Sequence, residues 1–132
     1  MDVSDHITVG GAPEGYDARL LVKEYAKTGA PVLHIVRDDK RMAAIQSALA
    51  FFAPNVPVMT FPGWDCLPYD RVSPNAEVSA TRMATLAALA QGLKGGVIIL
   101  TTLSAASQKI PARSVLKSAA FRAEVGHRLD ER

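Results

Sequence analysis

At 132 residues, with 48% hydrophobic and 21% charged residues, the chain has the size of one ordinary domain, able to bury a core and too short for a multidomain enzyme. Its 15 basic and 13 acidic residues leave a formal charge of +2, a weak pull toward nucleic acid and far from a basic footprint. The single cysteine, Cys66, excludes an intramolecular disulfide and a cysteine-cluster metal site, so zinc is not expected and a reducing cytosol fits. Met1 to His6 carry neither a basic n-region nor an apolar h-region, and no later apolar run reaches membrane-spanning length. A soluble cytoplasmic protein without membrane contact is the expectation.

Short β-branched runs alternate with amphipathic stretches, the pattern of an α/β fold in which helices flank a parallel sheet. Ile7-Thr8-Val9 reads as a first strand and runs into the turn-rich Gly10-Gly11-Ala12-Pro13-Glu14-Gly15. A helix follows, with Ala18, Leu21, Val22 and Tyr25 on one face and Gly29 as its stop. Val32 to Val36 is apolar except at His34, as in a strand covered on both faces. Asp38 or Asp39 then caps a second helix with Met42, Ile45, Leu49 and Phe52 as its core stripe, ended by Pro54. Val56 to Phe61 is a third strand, and the proline-rich stretch Pro62 to Asn75 is a long loop. Glu77 to Ala90 form a helix with Met83, Leu86, Ala87 and Ala90 inward, and Val97 to Leu100 a strand with Thr101 to Ser104 as its carboxyl-end loop. A short helix, a break at Pro111 and a final strand near Phe121 complete an α/β domain over residues 1–126, and residues 127–132 read as the start of a connection to a following domain.

Gly10 to Asp17 fits the frame G-x-x-x-x-G-K-[ST] of a P-loop except at its last two positions. Those two carry the chemistry: the lysine reaches the β- and γ-phosphates and the hydroxyl holds Mg²⁺. Tyr16 stands at the lysine position and Asp17 at the hydroxyl position. Glu14 adds a second carboxylate, and Pro13 removes a backbone donor. Each like-charge contact with a triphosphate costs on the order of 1–4 kcal/mol, depending on screening. Nucleotide binding is therefore not expected here. From the loop alone, two readings stand side by side: a P-loop that has lost its function, or a glycine-rich turn that leads into a helix and never had one.

From Gly11 to about Gly126 the chain resembles the N-terminal module of the bacterial transcription-repair coupling factors. The residues that carry the resemblance are Gly11-Ala12-Pro13-Glu14-Gly15, Phe51-Phe52-Ala53-Pro54, Phe61-Pro62-Gly63-Trp64-Asp65-Cys66-Leu67-Pro68-Tyr69-Asp70-Arg71, Ser73-Pro74 and Arg82-Met83-Ala84-Thr85-Leu86. The resemblance implies a P-loop NTPase or helicase-like (RecA-like) fold similar to excinuclease B, with a degenerate nucleotide site at Gly10, Gly15, Tyr16 and Asp17. It also implies a longer parent, an ATP-driven DNA translocase that displaces stalled RNA polymerase and recruits excinuclease A. ATP and Mg²⁺ would act in the parent's motor domains and not in this chain. Excinuclease A would be held mainly by the following domain, and RNA polymerase and DNA by the whole protein.

Other residues carry two readings. Trp64, Tyr69, Asp70 and Arg71 lie at the carboxyl end of a strand, where α/β sheets bind partners. The alternative, preferred here, has Trp64 and Leu67 folding over the sheet while Asp70 and Arg71 tie the loop down. Cys66 reads as an inert thiol and His34 as a hydrogen-bonded core residue. Ser104 reads as a helix cap, with hydroxyl donation to a ligand by Thr101, Thr102 and Ser104 as the alternative. Lys109, Arg113, Lys117 and Arg122 recur about every fourth residue. Pro111 argues against one continuous basic helix, so a solvated face is expected, with contact to DNA phosphates or another domain as the alternative. An active NTPase is the least favoured function, opposed by Tyr16 and Asp17.

Overall fold

A computed structural model describes residues 7–66, 71 and 73–119. Its elements in chain order are α1 (Tyr16–Thr28), β1 (Val32–Val36), α2 (Asp39–Phe52), β2 (Val58–Phe61), α3 (Ala76–Gln91), β3 (Ile98–Thr102), α4 (Leu103–Ala106) and α5 (Arg113–Ala119). The three strands form one sheet in the order β1-β3-β2, with both pairings parallel. Val32 and Val58 flank Ile98 in register, and Val36 lies opposite Thr102. Parallel neighbours require helical crossovers, and here these cover both faces.

One face holds the main core. Ala18 and Leu21 of α1, Met42, Ile45 and Leu49 of α2, Val36 of β1, and Ile98 and Leu100 of β3 are buried together, with Val22, Tyr25, Val32 and Val58 packed against them. Burying each large aliphatic of this set contributes about 1.5–3 kcal/mol. The opposite face is covered by α3, through Phe61, Leu86 and Ala105, and α5 adds Leu116 from outside. The central strand β3 is buried at every position, as its continuous apolar run requires.

The helix ends follow from sequence chemistry. Asp38 caps α2 by accepting from the Arg41 N–H at 2.8 Å, and Asn75 caps α3 by accepting from the Glu77 N–H at 2.8 Å. Gly29 closes α1 in the left-handed region at φ 62°, donating its N–H to Tyr25 O.

Several expectations are corrected. Ile7-Thr8-Val9 is irregular chain outside the sheet, with Ile7 and Val9 exposed; strand propensity has no effect where there is no sheet surface to pack on. Among the described residues, strand β1 is covered on one face only and lies at the sheet edge while α3 packs beside β2, so Leu33 and Ile35 are exposed. Phe52 is exposed at the end of α2, edge-on to Phe51. On α3 the buried face is Arg82, Thr85, Leu86 and Ala90, and Met83 is exposed. Thr101 and Thr102 belong to β3 and are buried rather than forming a loop. The strand expected near Phe121, Arg122 and residues 127–132 lie outside the described residues, as do Leu67, Tyr69 and Asp70.

Candidate functional site

The segment from Gly10 leads directly into α1. Gly15 is the residue before the helix and has φ 83°, a conformation that a side chain would strain. It offers no side-chain cap. Asp17, in the first turn, accepts the Ala18 N–H at 3.0 Å through one carboxylate oxygen. The Tyr16 N–H is bonded to Pro13 O at 3.1 Å, which folds the loop tightly against the helix start. Tyr16 itself is on the surface.

The two carboxylates that occupy this loop are met by a cation from α2. Arg41 donates from Nη2 to Asp17 Oδ2 at 2.6 Å and from Nη1 to Glu14 Oε1 at 3.2 Å. The Asp17 contact is the shorter and the better shielded of the two, and Glu14 is largely in solvent. Arg41 is placed by α2's own cap, because its N–H is the donor that Asp38 accepts. That bond, together with the Arg37 side chain, holds the Asp38 carboxyl below the usual carboxylate range.

Asp17 and Arg41 border a cleft of about 460 Å³, lined also by His34, Ile35, Val36, Arg37 and Ile45. His34 is half-buried in its wall, not closed into the core as expected. Burial lowers its pKa below the usual imidazole value, Asp17 works against this, and Arg41 adds to it.

The Trp64 loop is fastened differently. Arg82 of α3 is fully buried, and its guanidinium carbon lies 4.2 Å from the Phe61 ring centroid and 4.3 Å from that of Trp64. It therefore sits between two aromatic faces, whose quadrupoles favour a cation. Its Nη1 donates to Pro62 O at 2.5 Å, while Nε has no partner among the described residues. Burial lowers its pKa. Asp65 accepts the Asn75 N–H at 3.2 Å with each carboxylate oxygen and so joins the two ends of the loop. Gly63 runs close to the junction of β3 and α4, where an added Cβ would stand 3.2 Å from Ser104 Oγ and 3.7 Å from Thr102 Oγ1.

Among the remaining candidates, Arg71 and Lys109 are exposed. Arg113 is exposed as well, and its Nε donates to Ala90 O at 3.2 Å, tying α5 to α3. Pro111 lies just before α5 and separates Lys109 from that helix. Thr102, not Ser104, caps α4 by accepting the Ala105 N–H at 3.2 Å, and the Ser104 hydroxyl shares a 3.0 Å bond with it. Thr101 donates to Phe61 O at 2.8 Å. Cys66 is a half-buried free thiol. Groups of metal-ligating side chains and membrane-length apolar helices are absent among the described residues.

Of the two fastening residues, the sequence reading did not name Arg41, and it named Arg82 only within the segment that carries the resemblance. For Arg41 the signal was the pair Glu14 and Asp17, which needed a counter-charge near a helix start. For Arg82 it was the spacing to Thr85, Leu86 and Ala90, which puts an arginine on the apolar face.

Fold and site together define the class: a parallel α/β domain whose glycine-rich loop before the first helix is closed by the chain's own ion pairs. The chain is similar to transcription-repair-coupling factors. It is 29% identical over 126 residues to that of Haemophilus influenzae, covering 96% of this chain and 11% of the relative. With that of Myxococcus xanthus it shares 29% over 128 residues, 91% of this chain and 10% of the relative. With that of Rickettsia prowazekii it shares 34% over 68 residues, 52% of this chain and 6% of the relative. The chain thus spans about a tenth of the length of the first two relatives. No protein-family model matches the chain. No solved structure matches it.

Proposed function

We propose that this chain is a non-catalytic scaffold and interaction domain from the N-terminal module of a transcription-repair coupling factor. The similarity to such factors over 96% of the chain carries this reading. The parent, on this proposal, is an ATP-dependent DNA translocase that displaces stalled RNA polymerase and recruits excinuclease A in nucleotide excision repair. The domain itself contributes shape, docking and restraint of the motor, and the RecA-like nucleotide site in it is a relic. Support comes from Tyr16 and Asp17 at the lysine and hydroxyl positions and from Arg41, which is engaged by Asp17 and Glu14.

On the same proposal residues 127–132 lead to a following domain, and strands returning after it complete the sheet. The outer edge of β1 is unpaired among the described residues, as an unfinished sheet would leave it.

Calorimetry of the chain with Mg-ATP tests the relic reading, with no saturable heat expected; micromolar binding would overturn it. Tyr16→Lys with Asp17→Thr is expected to give no hydrolysis, because phosphoryl transfer also needs an acidic metal-holding residue and a positioned water, neither of which is assigned in this chain. The DNA-binding alternative predicts micromolar affinity that falls steeply with salt. Little or none is expected, because the charge excess is small and the basic residues are interleaved with acidic ones through most of the chain.

A further inference from the structure

The first turns of α1 and α2 meet through one guanidinium. Arg41 stands in the first turn of α2 and Asp17 in the first turn of α1, and Glu14 of the preceding loop takes Arg41's other terminal nitrogen. A guanidinium with two terminal nitrogens turned to oxygen atoms presents the fork that also fits a phosphate-class anion. Around it the cleft holds a second arginine, Arg37, and the half-buried His34. The oxygen atoms this fork receives come from the chain itself.

We propose that Glu14, Asp17 and Arg41 form an autoinhibitory latch: the chain's own carboxylates occupy an anion-binding guanidinium, fastening the loop before α1 with no ligand and closing the cleft to phosphate-class anions. The proposal rests on this geometry and is independent of any kinship with coupling factors. The latch is intramolecular, so an external anion competes with groups already at contact distance and thus at high effective concentration. It also explains why a loop with a left-handed Gly15 and no side-chain cap is held against α2.

Hydrogen exchange and thermal unfolding of the 132-residue chain test this, with sodium pyrophosphate as probe and sodium chloride at matched ionic strength as control. In the unaltered chain pyrophosphate should leave both readouts at the control value. Glu14→Gln with Asp17→Asn should speed exchange of the Ala18 to Leu21 amides by roughly twofold to fivefold, the range for a partly shielded ion pair. The α3 amides should be unchanged. Millimolar pyrophosphate should then restore protection, and Arg41→Met in the same background should abolish that restoration. Three results would overturn the proposal: pyrophosphate stabilising the unaltered chain as much as the variant, unaltered exchange in the folded variant, or restoration that survives loss of Arg41. Should the double variant not fold, Asp17→Asn alone serves, with smaller changes in the same directions and the same overturning results.

Discussion

Two arginines fasten two loops at the carboxyl end of one small sheet, and they do so by opposite physics. Arg41 is half-exposed and spends its charge on carboxylates, on the side of the molecule built from α1, β1 and α2. Arg82 is fully buried and lies between the rings of Phe61 and Trp64 on the side built from β2 and α3, with a backbone carbonyl as its acceptor. A guanidinium is weakly hydrated and flat, so it tolerates an aromatic sandwich that an ammonium would not. The difference teaches where each fastening will fail: the first to salt and charge removal, the second to loss of volume.

The largest effect expected is on the buried side. Arg82→Ala removes a stacked side chain and leaves a cavity beside Phe61 and Trp64, and should destabilise the chain by about 2–4 kcal/mol. Urea unfolding measures it, and a loss under about 1 kcal/mol would mean that the sandwich contributes little. Arg82→Lys should recover less than half of the loss.

Next is a packing test on the other side. An added Cβ at Gly96 would stand 2.6 Å from a Tyr25 ring carbon and 3.0 Å from Gly29 O. Gly96→Ala should therefore cost about 1–3 kcal/mol by overpacking. The same substitution at Gly10, where nothing lies within 4 Å, should be nearly neutral and serves as the control.

Smaller again is the Arg41 pair. A double-mutant cycle with Asp17→Asn and Arg41→Met should give a coupling of about 0.5–1 kcal/mol in 0.1 M salt, falling toward zero in 1 M. The Arg82 loss should barely change over that range. A salt-independent coupling at Arg41 would erase the contrast between the two sides.

These tests bear on residues that sequence reached unevenly. Helix α2 was legible because its cap at Asp38 and its stripe of Met42, Ile45 and Leu49 are local features. Phe52 continued the stripe by spacing but is exposed as the last residue of the helix. Strand β1 looked buried on both faces because its apolar run does not encode its place at an edge. Edge or centre depends on strand order, which comes from β3, more than sixty residues later. The acidic character of the loop at Gly10 to Asp17 was readable, since Glu14 and Asp17 rest on residue type. Its fastening was not, because Arg41 is brought to it only when two helices pack on the same face.

The smallest expected effect is a pH dependence on the Arg41 side. Burial lowers the folded-state pKa of His34 below its ordinary 6.5. Between that lowered value and 6.5 the unfolded chain binds more protons than the folded one, so stability rises with pH across the window. It is fully present above about 6.5 and lost progressively as pH falls toward the folded pKa. His34→Gln should flatten this slope in denaturation series from pH 7.5 to 5. An unchanged slope would assign the titration to another group.

The sandwich at Arg82 also makes the molecule its own spectroscopic gauge. Trp64 is the only tryptophan of the chain, and its ring lies against a guanidinium at one end of β2. Its emission therefore reports the β2–α3 side, whereas the imidazole resonances of His34 report the cleft on the other. If the loop releases before the sheet melts, tryptophan emission will shift at lower denaturant than far-ultraviolet circular dichroism, and the separation between the two curves measures how independently that loop opens.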